Sequence, residues 1–128
     1  MSTPSKAQLK KISYSEDLSY MQAMVADGTI KDVNEPYDED GNTALMNQCF
    51  RRNNKGYYER VRFLLGCHPP AKPNIKDRYG NTCLHMAVYD YGFGGGDDPD
   101  LVRLLVENGA DSSIKDNGGR TALLCQGK

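Results

Sequence analysis

Cys67 and His68 are followed by Cys83 and His85, and all four side chains are of types that bind zinc. Structural zinc sites space their ligands as C-x₂₋₄-C with H-x₃₋₅-H, because two ligands from one tight turn must reach the same ion. The spacing here does not match that arrangement, so no metal site is expected. The stretch GFGGGDDPD at 92–100 is rich in glycine, as phosphate-cradling loops are. It lacks the Lys-Ser/Thr of a P-loop, follows a helical pattern instead of a strand, and carries Asp97, Asp98 and Asp100, which repel phosphate. DEDGNT at 38–43 has a faint likeness to a calcium loop, but with Gly41 at the sixth loop position Pro36 falls first, where an Asp belongs. The chain has 2 histidines, and their placement suggests no nucleophile–base pair. His68 sits in a Pro-flanked loop and reads as solvated. The chain is therefore expected to be no enzyme and to carry no cofactor.

The elements that hold these residues come from a repeat. Thr43, Thr82 and Thr121 lie 39 residues apart, and each closes an Asp-x-x-Gly-x-Thr pattern that begins at Asp38, Asp77 or Asp116. A fixed period of this size marks a stacked-repeat architecture. The glycine at a constant turn position supplies the positive φ that other residues resist, so each copy is a tight turn. After the threonine the pattern becomes helical. Leu84, Ala87 and Val88 keep the i, i+3, i+4 spacing. A second helix over 99–111 aligns Leu101, Leu104 and Leu105, with Asp98 as N-cap, Pro99 in the first turn and Gly109 as stop. In the first unit 57–66 plays the same part with Val61, Leu64 and Leu65.

A unit of turn, helix, loop and helix resembles the ankyrin repeat, whose signature includes T-P-L-H-x-A. Thr82-Cys83-Leu84-His85-Met86-Ala87 is the best match, and LVRLLVENGAD at 101–111 matches the family's second helix. The resemblance covers about residues 15–125 and implies an all-α solenoid of helix-turn-helix units with β-turn fingers. The histidine of the signature survives only as His85, and the resemblance implies that it braces neighbouring turns. Ala44, Cys83 and Ala122 stand where the family has proline. Gln48 takes a place that the family gives to a small apolar residue, and the sequence suggests no partner for it.

The period of 39 exceeds the family's ~33. The surplus falls between the paired helices of both units, at 51–58 and 89–99, with one extra residue in 66–72. The single domain, 1–128, divides into an N-terminal helical cap (1–33), two repeats (34–73 and 74–112) and a partial C-terminal repeat (113–128). In the cap, Thr3 and Pro4 start a helix with Leu9 and Ile12. Ser15 starts a second helix, with Glu16 and Asp17 near its positive end, Leu18, Met21 and Val25 as its stripe, and Gly28 as its end. The last unit begins a first helix and stops without a second to cover it. Two explanations stay open: a cut from a longer protein, or a packing of Leu123 and Leu124 against another molecule.

Composition narrows the partners. With 38% hydrophobic residues, no tryptophan and a mean hydropathy of -0.66, the chain reads as a soluble domain with a modest core. No apolar run approaches the ~20 residues of a membrane span, and 1–17 lacks the apolar centre of a secretory signal, so a cytoplasmic location is expected. A net charge of -1 with interspersed signs gives no footprint for nucleic acid or a membrane surface. Cys49, Cys67, Cys83 and Cys125 share no recurring spacing and read as small hydrophobes or free thiols.

A protein partner remains. Tyr57, Tyr58, Tyr89, Tyr91 and Phe93 sit in or beside the two insertions, where Tyr with Gly and Asn is the composition of protein-binding surfaces. Stacking places the insertions side by side, as one wall. The resemblance adds binding through finger tips and the exposed side of first helices. Those positions are Glu39, Asp40 and Asn42, Phe50 and Arg51, Arg78, Tyr79 and Asn81, Tyr89 and Asp90, and Asn117 and Arg120. The expected function is a non-catalytic protein-binding module, acting as inhibitor, adaptor or toxin-neutralising protein. The alternative is a structural piece of a larger ankyrin-containing enzyme or effector. A monomer is expected, with self-association through the incomplete last unit left open.

Overall fold

Each Asp-x-x-Gly-x-Thr stretch folds as a tight turn whose glycine takes a left-handed conformation: φ is 82° at Gly41, 82° at Gly80 and 80° at Gly119. These turns are the fingers of a repeat stack. The computed structural model describes residues 10–12, 17–50, 55–88 and 99–122, and all regular structure among them is helical. After helical residues 10–12 come α1 (Leu18–Ala26), α2 (Ala44–Phe50), α3 (Tyr57–Leu65), α4 (Cys83–Val88) and α5 (Pro99–Glu107).

Helices pair within a unit and stack between units. α2 packs on α3 and α4 on α5, while α2 packs on α4 across the repeat boundary and α1 covers α3. This is the all-α solenoid that the repeat implies. The first helices are the short middle layer: Ala44 to Cys49 and Cys83 to Val88 are buried along their whole length. The second helices bury one stripe, Arg60, Val61, Leu64 and Leu65 in α3 and Leu101 and Leu105 in α5, as a 3.6-residue period requires of a helix with one wet face. Leu104 is only half-buried and packs at the edge of that core.

Helix ends show where sequence and structure part. The N-cap of α1 is Asp17 and not Ser15: its carboxylate accepts the backbone N–H groups of Ser19 (2.9 Å) and Tyr20 (3.4 Å). Gly28 follows the helix at φ 84° and lets its N–H reach the Val25 carbonyl, a left-handed stop. Tyr57 and Tyr58 form the first turn of α3 instead of belonging to the insertion, and Gly56 is the N-cap. Two asparagines close the units. Asn34 accepts from Lys72 N–H (2.6 Å) and donates to the Pro70 carbonyl (2.9 Å). Asn74 does the same with Asp111 (2.8 Å) and Gly109 (2.9 Å), so each unit's start is tied to its own end. Cys49, Cys67 and Cys83 are buried free thiols, and Cys125 lies outside the described residues.

Candidate functional site

The fingers are built on one carboxylate apiece. Asp38 Oδ1 accepts the N–H groups of Asp40 and Asn42, both at 3.0 Å. Asp77 Oδ1 accepts those of Tyr79 (2.9 Å) and Asn81 (3.0 Å), and Asp116 Oδ1 those of Gly118 and Arg120 (2.9 Å each). Such two-pronged acceptance holds the chain reversal without help from a sheet. At Asp116 the Arg120 N–H, then the Gly118 N–H and the charge of Arg120, hold the carboxyl below the usual carboxylate range against the opposing effect of burial.

Neighbouring fingers are bonded to each other. Arg78 N–H donates to the Asp40 carbonyl (2.7 Å), and Arg78 Nη1 meets Asp40 Oδ1 at 3.0 Å. Asn117 repeats the step one unit on, donating from its backbone to the Tyr79 carbonyl (3.0 Å) and from Nδ2 to the Arg78 carbonyl (2.9 Å). His85 ties a helix to the last finger. Its Nδ1 accepts the Thr82 N–H (3.2 Å), which leaves the proton on Nε2 to be donated to the Arg120 carbonyl (3.0 Å). The bracing role implied for this histidine is thus realised, and both ring nitrogens are occupied.

What this frame offers outward is a row of tips above a cleft. Tyr79 is 55% exposed with the Arg78 guanidinium 5.7 Å from its ring centroid, and the side chains of Arg78 and Arg120 are 62% and 56% exposed. Between the first two units lies an open cleft of about 220 Å³, lined by Tyr37, Asp38 and Asn42 from the finger, Met46, Asn47 and Phe50 from α2, and Met86 from α4.

The expected site residues divide into four groups. Arg78 and Tyr79 stand on the second fingertip, Arg120 closes the third turn with an exposed side chain, and Phe50 lines the cleft. Asn81 serves its own turn through both its N–H and its carbonyl, which accepts the Asp77 N–H at 3.0 Å. Tyr57 packs against the core and Tyr58 is half-buried, both in α3. Arg51, Tyr89, Asp90, Tyr91 and Phe93 lie outside the described residues. The first helices bury Ala44 to Cys49 and Cys83 to Val88, and of the first-helix positions expected to bind, Phe50 is the described one, half-buried at the cleft.

One residue passed over in the sequence proves structural. Arg60 is only 2% exposed, and its Nε donates to Gln48 Oε1 (2.7 Å) while Nη1 donates to the Lys55 carbonyl (3.1 Å). Gln48 therefore receives the partner that was missing. The thiols are bound as well: Cys67 Sγ donates to the Phe63 carbonyl (3.3 Å), where burial pushes its pKa up, and Cys83 Sγ donates to the Pro73 carbonyl (3.2 Å). Among the described residues no three His, Cys, Asp or Glu side chains gather as a metal site, and no helix is long and apolar enough to cross a membrane.

Fingers bonded side by side over paired antiparallel helices define the class of helical-repeat solenoids. A family model for ankyrin repeats (three copies) matches residues 11–116, and the chain belongs to the ankyrin-repeat family. No curated protein matches the chain in sequence. Ankyrin repeats are in general protein–protein interaction modules and are typically non-catalytic.

Proposed function

We propose that this chain is a non-catalytic module that binds a folded partner protein through the finger row and the cleft beneath it, with the two inter-helix insertions extending that surface as a wall. The observation that carries the reading is the exposed row of Arg78, Tyr79 and Arg120 held on backbone that is bonded from finger to finger. Tyr and Arg on a rigid frame are the residue types that dominate binding energy. A binder of this shape acts by occluding or scaffolding its partner, so an inhibitor, adaptor or toxin-neutralising role follows. Buried free thiols suit a reducing compartment, and a cytoplasmic location is part of this reading.

The test is affinity capture from source-cell lysate with wild type, an Arg78→Ala/Tyr79→Ala variant, and a Tyr89→Ala/Tyr91→Ala variant, each checked for fold by circular dichroism. The reading expects one protein captured by wild type and lost from the finger variant. A true hot spot costs about 2 kcal/mol or more on truncation, roughly a 30-fold weaker Kd. Loss from the second variant as well would bring the insertions into the interface. Equal capture by all three would overturn the reading.

A further inference from the structure

The finger row is electrically uneven. Residues 37–42 carry Asp38, Glu39 and Asp40 and no cation, whereas 76–81 set Lys76 and Arg78 against Asp77, and 115–120 set Lys115 and Arg120 against Asp116. Arg78 neutralises Asp40, while among the described residues Asp38 and Glu39 meet no cation. Asp38 also lines the cleft. Met46 and Met86, which are 2% and 9% exposed, form its floor, and the half-buried Phe50 forms a side.

A space of about 220 Å³ is smaller than the ~300–1,000 Å³ of pockets for drug-sized ligands, so one long side chain is a better match than a free small molecule. The lining selects which side chain. Polarizable methionines and an aromatic ring suit an alkyl stem, and Met adapts its shape to what lies on it. At the mouth, the Asp38 carboxylate, whose Oδ2 accepts from Asn42 Nδ2 (2.8 Å) and which meets no cation among the described residues, suits a cation with several donors beside the Asn47 amide. Arginine fits better than lysine, since its weakly hydrated planar head can stack on Tyr37 or Phe50 while donating to more than one oxygen.

We infer that the cleft seats an arginine side chain of the partner protein, its stem on Met46 and Met86 and its guanidinium at Asp38. The inference rests on the protein-binding reading above and names the chemistry of its central contact.

The probe is N-acetyl-arginine-N-methylamide, titrated into protein carrying ¹³C-methyl methionine, with the norleucine and glutamate amides as a neutral and an acidic comparison. Saturable shifts are expected at the Met46 and Met86 methyls and not at Met21 or Met24. The arginine amide should bind about two- to fivefold more tightly than the norleucine amide, the range of an exposed ion pair, and added salt should narrow the gap. Glu39→Gln touches no finger bond and should reduce that preference, and Asp38→Asn should abolish it. The second change keeps the Oδ1 acceptor of the turn but loses the Oδ2 acceptor of Asn42 Nδ2, a bond that Asn42→Ala should remove with the carboxylate intact and without loss of the preference. Asp77→Asn, the matching loss of charge one finger on, should leave it intact as well. Equal binding of the arginine and norleucine amides, a preference that survives both Glu39→Gln and Asp38→Asn, or no saturable shift at Met46 and Met86 would overturn the inference. None of these results touches the wider reading, which the capture experiment decides.

Discussion

Gly41, Gly80 and Gly119 occupy the same turn position with φ of 82°, 82° and 80°, yet their surroundings differ, and that difference makes a controlled experiment. An alanine forced into the left-handed region costs about 1–2 kcal/mol at any of the three. At Gly119 an added Cβ meets nothing within 4 Å, and at Gly41 its nearest neighbour is Asp77 Cα at 3.6 Å, an ordinary contact. At Gly80 it would fall 2.6 Å from Asn117 Oδ1 and 2.7 Å from Asn117 N. One of those atoms is backbone, so the third finger itself must retreat. The bonds that Asn117 makes to the Tyr79 and Arg78 carbonyls, 3.0 and 2.9 Å long, stretch as it does.

Overpacking of this kind adds about 1–3 kcal/mol. Gly41→Ala and Gly119→Ala should therefore each lose about 1–2 kcal/mol, the left-handed strain alone, and Gly80→Ala about 2–5 kcal/mol. Urea unfolding followed by far-UV circular dichroism reads these losses, and for a chain of this size each kcal/mol lowers Tm by about 3–5 °C. Hydrogen exchange at 117–120 should rise in Gly80→Ala alone. A Gly80→Ala protein no less stable than Gly119→Ala would refute the claim that the fingers touch closely enough to act as one row.

Two further predictions follow from groups inside the fold. Gln48→Leu removes the acceptor of Arg60 Nε and should cost about 1–3 kcal/mol, the penalty of leaving a buried charged donor short. Adding Arg60→Met should recover part of the loss, and a double-mutant cycle that shows strict additivity would speak against the pair. Asp116 has a carboxyl held below its ordinary value in the folded chain, so its contribution is present above about pH 4 and is lost as pH falls through the folded value. Asp116→Asn keeps an acceptor at Oδ1 and should be less stable than wild type at pH 7. The gap in urea midpoint should close in acid, and parallel curves down to about pH 2 would contradict the assignment.

The period, the turn glycines and the helix stripes were legible because each depends on residues near one another in the chain. The pairing of Gln48 with Arg60 was not. In YYERVRFLL the burial period places Arg60 on the stripe of Val61, Leu64 and Leu65, while its charge argues for the surface, and only the acceptor on α2 decides between them. The cap of α1 shows a smaller version of the same limit, since Ser15 and Asp17 are both good caps and the choice rests on which oxygen reaches Ser19 and Tyr20. The cleft joins Tyr37 to Met86 across a repeat boundary, a distance in sequence that no local pattern spans.

Comparison of the three fingers separates the residues that build from those free to recognise. Asp, Gly and Thr recur in every copy, and one oxygen of the Asp carboxylate and the Gly conformation serve to close the turn. The tip positions between Asp and Gly do not recur: Glu39, Arg78 and Asn117 at one, Asp40, Tyr79 and Gly118 at the next. Their backbones are the ones bonded across fingers, through Asp40 to Arg78 and Tyr79 to Asn117, so side chains can vary without moving the frame. A partner then meets tips whose backbone is already ordered, and little of its binding energy is lost to immobilising the loop. Specificity should reside where the copies disagree most. That place is the first finger, where three carboxylates stand opposite the arginines of the other two and where Tyr37 N–H, instead of the aspartate's, reaches the Asn42 carbonyl at 2.8 Å.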